Sequence, residues 1–267
     1  MTTATSILTE EIIEVAGTRL EIARGGDGDP LLVLHDEMGH HGALRWHEAL
    51  AANNTLHIPS HPGFGESPRM EWIMNMRDLA GWYLRALDEL GLQNVNVIGF
   101  SLGGWLAAEM ATMCPQQFNK MVLVGAAGIK PDIGEIFDIF LVTAEEYLDT
   151  VCLDNAAVPE FGTVRPAEPS PEQMEAWLVA REEACRLSWK PYMHYRGLPQ
   201  LLGRAQSLPT LLIWGAQDGI VPVNAGEIYQ QSIKGSRLEV IDNCGHRPEI
   251  EQTDEFLALV RGFLAGD

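Results

Sequence analysis

Positive charge is scarce in this 267-residue chain: 18 lysines and arginines stand against 37 aspartates and glutamates, a formal net charge of −19. No long basic run is present, so binding to nucleic acid or to an anionic membrane has no electrostatic support. No apolar run approaches the roughly 18 residues that span a bilayer. The opening MTTATSILTEEIIEVAG lacks both a basic start and an apolar stretch long enough for a signal peptide. Cysteine is sparse and unpaired in sequence: Cys114, Cys152, Cys185 and Cys244 form no C-x-x-C motif. They are expected to be reduced, buried small hydrophobes of a cytoplasmic protein. Internal repeats and low-complexity tracts are missing too. The acidity argues mildly against a strongly anionic substrate, unless local arginines reverse the field.

What the chain does have is alternation. EEIIEVAG and TRLEIARGG follow the two-residue period of a half-buried hairpin, with Gly17-Thr18 at the turn. PLLVLH (30–35) is a continuous apolar run, as in a strand covered on both faces. Helix-like LRWHEALAAN, strand NTLHIPS and the turn-rich HPGFGESP follow. MRDLAGWYLRALDELGL sets Leu79, Tyr83, Ala86, Leu87 and Leu90 at helical spacing, and Gly91 can end it. Strand NVNVIGF, helix LGGWLAAEMATM and strand KMVLVGAAG continue the series. The rhythm breaks over 132–205, which are rich in helix formers and aromatics. It resumes with PTLLIWG, NAGEIYQQSI, RLEVIDN and TDEFLALVRGFLAG. Strands alternating with helices predict parallel crossovers in a doubly covered sheet. The expected organisation is a core of 1–131 and 206–267, with a helical lid inserted at 132–205.

At one junction the chain crowds a serine among glycines. Gly99-Phe100-Ser101-Leu102-Gly103 fits G-x-S-x-G between a buried strand and a helix, a turn that strains the serine backbone and tolerates only tiny neighbours. The helix N-terminus then offers free N–H groups to a developing negative charge. A serine hydroxyl needs a base, and the base needs an orienting acid. Asp218, just past strand PTLLIWG, and His246, in the loop after RLEVIDN, supply both at carboxyl ends of strands, the edge where open α/β sheets hold their sites. Asp242 is a rival acid. His40-His41 lacks further ligands at metal spacing and reads as surface or loop histidine, so no metal and no cofactor are expected.

LLVLH, HPGFGES, GFSLGG, WGAQDGIVP and CGHRPEIEQ together resemble the α/β-hydrolase fold superfamily over nearly the whole chain. The resemblance implies a mostly parallel eight-stranded sheet with helices on both faces and a helical cap inserted after strand 6. It makes Ser101 the nucleophile, Asp218 the acid and His246 the base. It also implies backbone N–H groups of Leu102 and Glu37 as the oxyanion hole. The elbow serine excludes the branches that use an aspartate there.

The run LHDEMGHHG departs from the family pattern, with Asp36 in place of glycine and Glu37 at the donor position. A charge about 6 Å from the oxyanion at an effective dielectric near 20 would cost ~3 kcal/mol, as much as a lost donor. Both carboxylates are therefore expected to turn away from Ser101 or to be neutralised locally. The rival expectation is that one of them positions a water or a cationic substrate group. His35, Trp105, Phe140, Trp177, Trp189 and Tyr192 are candidate pocket residues; with Phe137, Met193 and Tyr195 the lid carries enough to line an apolar pocket, although most of these are expected to build the lid's own small core.

The expected reaction is acyl transfer on a small carboxylic ester, with a lactone such as an acyl-homoserine lactone second. Third stand the carbon–carbon hydrolases of ring-cleavage products, resembled at VLVGAAG and CGH. Those act on carboxylate-bearing dienes and often carry tryptophan where this chain has Arg247; Arg181, Arg186 and Arg196 are candidates for an anion site. A cofactor-free perhydrolase or haloperoxidase uses the same triad, and a non-catalytic sensor of small ligands is the rival outside enzymes. The expected partner is the small-molecule substrate alone, bound by a monomer or homodimer.

Overall fold

The computed structural model describes residues 7–190 and 192–266. Residues 1–6 of the sequence tested for a signal peptide, and the outer limits 1 and 267 of the expected core, lie outside the described residues. Eight strands form one sheet: β1 (Thr9–Val15), β2 (Thr18–Gly25), β3 (Asp29–Leu34), β4 (Asn54–Pro59), β5 (Val95–Phe100), β6 (Phe118–Val124), β7 (Thr210–Gly215) and β8 (Arg237–Ile241). Their order is β1-β2-β4-β3-β5-β6-β7-β8. β2 runs antiparallel to β1 and β4, and every other pairing is parallel.

The continuous apolar runs occupy the centre of this sheet. All six residues of β5 and of β7 are buried, as strands covered on both faces require. Helices α1 (Arg45–Ala51), α2 (Met76–Glu89), α3 (Leu102–Met113), α8 (Val223–Ser232), α9 (Pro248–Glu251) and α10 (Thr253–Ala265) provide that cover. Asn75 caps α2 by accepting from the N–H groups of Arg77 and Asp78, and Gly91 ends it at φ 68°. The hairpin turns at Ala16-Gly17, one residue earlier than expected, with φ values of 48° and 84°. Left-handed φ at both central residues gives the turn the twist of its flanking strands.

Between β6 and β7 no strand joins the sheet among the described residues. This stretch holds α4 (Ala144–Leu148), α5 (Phe161–Val164), α6 (Pro171–Ser188) and α7 (Leu198–Leu201). A parallel bridge between Gly128 and His194, with Tyr195 N–H donating to Gly128 O at 2.9 Å, ties its end back to the core. All four cysteines are free; Cys152 and Cys244 are buried, whereas Cys114 and Cys185 are only half-buried. Among the described residues no helix is long and apolar enough to cross a membrane.

The packing of β5 on α3 leaves no room for side chains. A Cβ on Gly103 would run into the carbonyl oxygens of Leu34 and His35, and one on Gly104 would lie 2.6 Å from the Ala126 Cβ. Gly81, on α2, has nothing within 4 Å of an added Cβ. Gly103→Ala should therefore destabilise the protein by about 1–3 kcal/mol, the usual cost of overpacking. Gly81→Ala should be neutral or stabilising by about 0.5–1 kcal/mol. Thermal unfolding of the two variants beside the parent checks this contrast.

Candidate active site

Ser101 sits at the β5–α3 junction with φ 45° and ψ −108°, a left-handed conformation that costs a non-glycine residue energy. Three backbone bonds hold it there. Its N–H donates to Val124 O at 2.9 Å, and its carbonyl accepts from Trp105 N at 3.1 Å and Ala127 N at 3.0 Å. The turn therefore points the Ser101 side chain out of the ladder at the carboxyl edge of the sheet.

Asp218 and His246 come to the same edge from the loops after β7 and β8. Asp218 Oδ1 accepts from the N–H groups of Ile220 and Val221, each at 2.9 Å, which leaves Oδ2 to pair with His246 Nδ1 at 2.8 Å. That bond assigns the Nδ1 proton and leaves Nε2 on the side of the ring away from Asp218. Burial alone would lower the His246 pKa, but the charge and hydrogen bond of Asp218, with the charge of Glu37, raise it to about 9. Gly125 permits the approach, since a Cβ there would lie 2.9 Å from His246 Cε1. Among the described residues no hydrogen bond joins Ser101 to His246. Asp242, the rival acid, is not the partner of His246.

The His246 loop is fastened to the insert. His246 N–H donates to Val151 O at 2.8 Å. Glu251 accepts from Gly245 N at 2.9 Å and Arg247 N at 3.0 Å on one side, and from Leu153 N at 2.7 Å on the other.

The two unusual carboxylates behave differently. Asp36 is neutralised locally: Arg247 Nη1 lies 2.9 Å from Oδ2, and Met38 N donates to Oδ1 at 2.8 Å. Burial would raise its pKa, yet Arg247, His41 and the Met38 N–H together hold it far below the usual carboxylate range. Glu37 corrects the expectation that both side chains avoid Ser101. Its Oε2 accepts from Leu102 N at 3.3 Å, its own N–H turns to the same carboxyl, and the Ser101 hydroxyl faces it. Tyr147 of α4 donates its hydroxyl to Oε1. The two N–H groups expected to form the oxyanion hole thus converge, but on the Glu37 carboxylate. Burial first, then the Asp36 charge, push the Glu37 pKa up.

Ser101, Glu37, Leu102 and Trp105 open onto a narrow apolar pocket of ≈ 30 Å³ shared with Ala127, Ile136, Phe137, Ile139, Ser188, Met193, Ile220 and Val221. Of the candidate pocket residues Trp105 lies here, joined by Phe137 and Met193 from the lid set, and His35, Phe140, Trp177, Trp189 and Tyr192 do not. His35 is buried behind the loop, with Nδ1 2.6 Å from Asp36 O, Nε2 accepting from His61 N at 3.0 Å, and its ring stacked on His61 at 3.7 Å. Trp177 is buried and lines a separate cavity of ≈ 310 Å³ with His40 and His41. Phe140, Trp189 and Tyr192 pack on one another, leaving Trp189 61% and Tyr192 42% exposed. A stack of three rings satisfies itself and needs no cleft.

His40 and His41 are loop residues as expected, but half-buried rather than on the surface: the His41 side chain is 7% exposed, and burial drives the His40 pKa down to about 3. Among the described residues no group of three His, Cys, Asp or Glu is arranged to hold a metal. The candidate anion-binding arginines are engaged or remote. Arg181 donates to the carbonyls of Ile139 and Phe140, Arg186 pairs with Glu183, Arg247 with Asp36 and Glu249, and Arg196 is exposed. Sequence reasoning missed Tyr147; only its place in a capping box, Thr143 to Glu146, hinted at a short helix that would aim it.

Comparison with known proteins adds four findings. Residues 29–251 match the sequence model of the alpha/beta hydrolase fold. The chain is 29% identical to a 2-hydroxymuconate semialdehyde hydrolase of a Pseudomonas species, over 96% of this chain and 93% of that one. It is 26% identical to a 2-hydroxy-6-oxo-6-phenylhexa-2,4-dienoate hydrolase of Comamonas testosteroni, over 90% and 88%. Among solved structures, a meta-cleavage product hydrolase of Pseudomonas fluorescens superposes with a TM-score of 0.79 at 23% identity, covering 96% of this chain and 97% of that one.

The His246–Asp218 pair has a stability signature. A histidine whose folded pKa is raised from 6.5 to about 9 contributes stability that is complete below 6.5 and lost as pH climbs through 9. Unfolding free energy should fall by about 3 kcal/mol across that window. The fall should largely vanish in Asp218→Asn, read by denaturant unfolding at stepped pH.

Proposed function

The chain belongs to the α/β-hydrolase family, and from that premise we propose that it is a serine hydrolase acting by acyl transfer, with the carbon–carbon bond of a ring-cleavage product as its first substrate class. The observation that carries the chemistry is the convergence at one sheet edge of Ser101, held at φ 45°, and a His246–Asp218 pair bonded at 2.8 Å. In this reading Ser101 Oγ attacks a ketone carbon while His246 Nε2 takes its proton. Leu102 and Glu37 N–H groups hold the resulting oxyanion. The carbon–carbon bond then breaks, its electron pair passing to the leaving carbon, which His246 protonates. Water activated by His246 releases the acyl group as a carboxylic acid.

The names of the relatives support carbon–carbon cleavage over the carboxylic ester ranked first from sequence. The apolar wall formed by Ile136, Phe137, Ile139 and Met193 suits the acyl arm. An uncharged ester is the second reading, favoured by one observation: among the described residues the only ionisable side chain lining the pocket is the Glu37 carboxyl. Like charge at about 6 Å and an effective dielectric near 20 disfavours a carboxylate-bearing diene by ~3 kcal/mol.

Both readings are tested with purified parent and Ser101→Ala. The parent should bleach the absorbance of a 2-hydroxy-6-oxo-dienoate, and the variant should lose at least about a thousandfold in turnover, as expected on removing one member of a triad. Turnover only of p-nitrophenyl esters, acetate to decanoate, would select the ester reading. Activity surviving in Ser101→Ala would overturn the assigned nucleophile.

A further inference from the structure

Ser101 stands in a site that is closed twice over. The pocket it opens onto measures ≈ 30 Å³, room for about two waters. Its hydrogen-bond donors are already occupied as well. Leu102 N–H donates to Glu37 Oε2 at 3.3 Å and Glu37 N–H turns to the same carboxyl, while Tyr147 on α4 donates to Oε1. The carboxylate lies where a substrate carbonyl oxygen has to sit for Ser101 to attack its carbon.

We propose that Glu37 is an internal occupant of the oxyanion site: its carboxylate, clamped by Tyr147, keeps Ser101 closed until an incoming carbonyl displaces it. The inference rests on the Ser101 reading given above and not on which bond is cleaved. A carboxylate resembles a tetrahedral oxyanion in charge and in the hydrogen bonds it accepts, so the two N–H groups stay satisfied while the site waits.

The occupant also acts on the base. The groups facing Glu37 are Asp36 from its own loop, Ser101 and Leu102 from the β5–α3 elbow, Tyr147 from α4 and His246 from the loop after β8. Those facing His246 are Asp218, Glu37 and Arg247. Glu37 charge adds to that of Asp218 in raising the His246 pKa to about 9 against burial and Arg247, so at neutral pH the imidazole holds the proton a base must be without. Displacing Glu37 therefore frees both donors and removes a charge that keeps His246 protonated. It also sorts substrates. One that offers the displaced carboxylate a hydroxyl, amide N–H or ammonium group enters more easily than one that brings a carboxylate of its own.

The test follows the rate at which a neutral alkyl p-nitrophenyl phosphonate labels Ser101, read by p-nitrophenol release and by adduct mass, in the parent, Glu37→Ala, Glu37→Gln and Tyr147→Phe. Labelling of Glu37→Ala at neutral pH should be at least about tenfold faster than the parent, the factor of one charge-assisted hydrogen bond. Tyr147→Phe should show a smaller gain. The acid limb of the labelling profile, set near 9 by His246 in the parent, should move to lower pH in both Glu37 variants. Labelled Ser101 with equal or slower rates in both Glu37 variants overturns the occupant alone. Unlabelled Ser101 in all four chains, each melting like the parent, overturns the Ser101 reading and the occupant with it.

Discussion

The constraint on which the site depends is the closeness of strand β5, helix α3 and the end of β3. Gly103 brings the start of α3 against the carbonyls of Leu34 and His35, and Gly99 and Gly104 remove the remaining bulk between strand and helix. With so little space the chain reverses direction in a single residue, and Ser101 takes the left-handed backbone that results. The same closeness puts Glu37, in the segment after β3, beside Leu102 N. One packing decision therefore sets the serine, its donor and the carboxylate that holds the donor.

Around that centre the molecule arranges an unusual excess of buried negative charge. Asp36 and Glu249 share one guanidinium, Arg247, which is itself buried. Glu37 lies beside them with no arginine or lysine salt bridge among the described residues; it faces His246 and relies on N–H and O–H donors. Removing one member of a buried hydrogen-bonded charge group costs far more than the group contributes as a whole. The residues of HDEM and HRPE thus act as a unit across the sheet edge, and Arg247 is committed to holding them together.

Most of the frame was legible because its signals are local. Continuous apolar runs marked β3, β5 and β7, the glycines around Ser101 marked the elbow, and the strand-end positions of Asp218 and His246 marked their meeting. The direction of the Glu37 side chain was not legible, since it follows from Tyr147, 110 residues away in sequence. The pocket was misread for a related reason. Aromatic content shows that Phe140, Trp189 and Tyr192 need partners, and they found one another; the wall beside Ser101 draws on Trp105, Phe137 and Met193 together with Ile136, Ile139, Ile220 and Val221. Pattern marks an apolar residue but not the neighbour it meets when the partner lies in a separate insert.

Glu251 has a consequence for how the molecule breathes. One carboxylate receives Leu153 N–H from the insert and the N–H groups of Gly245 and Arg247 on either side of His246, while His246 N–H is bound to Val151 O. These four amides belong to one cooperative opening unit, because releasing any of them breaks the shared acceptor or its neighbour. The placing of His246 is consequently only as persistent as the Val151–Leu153 bend that holds its loop. A fluctuation that peels this segment from the sheet at Val151–Leu153 does not simply admit solvent; it looses the loop that sets His246 against Asp218.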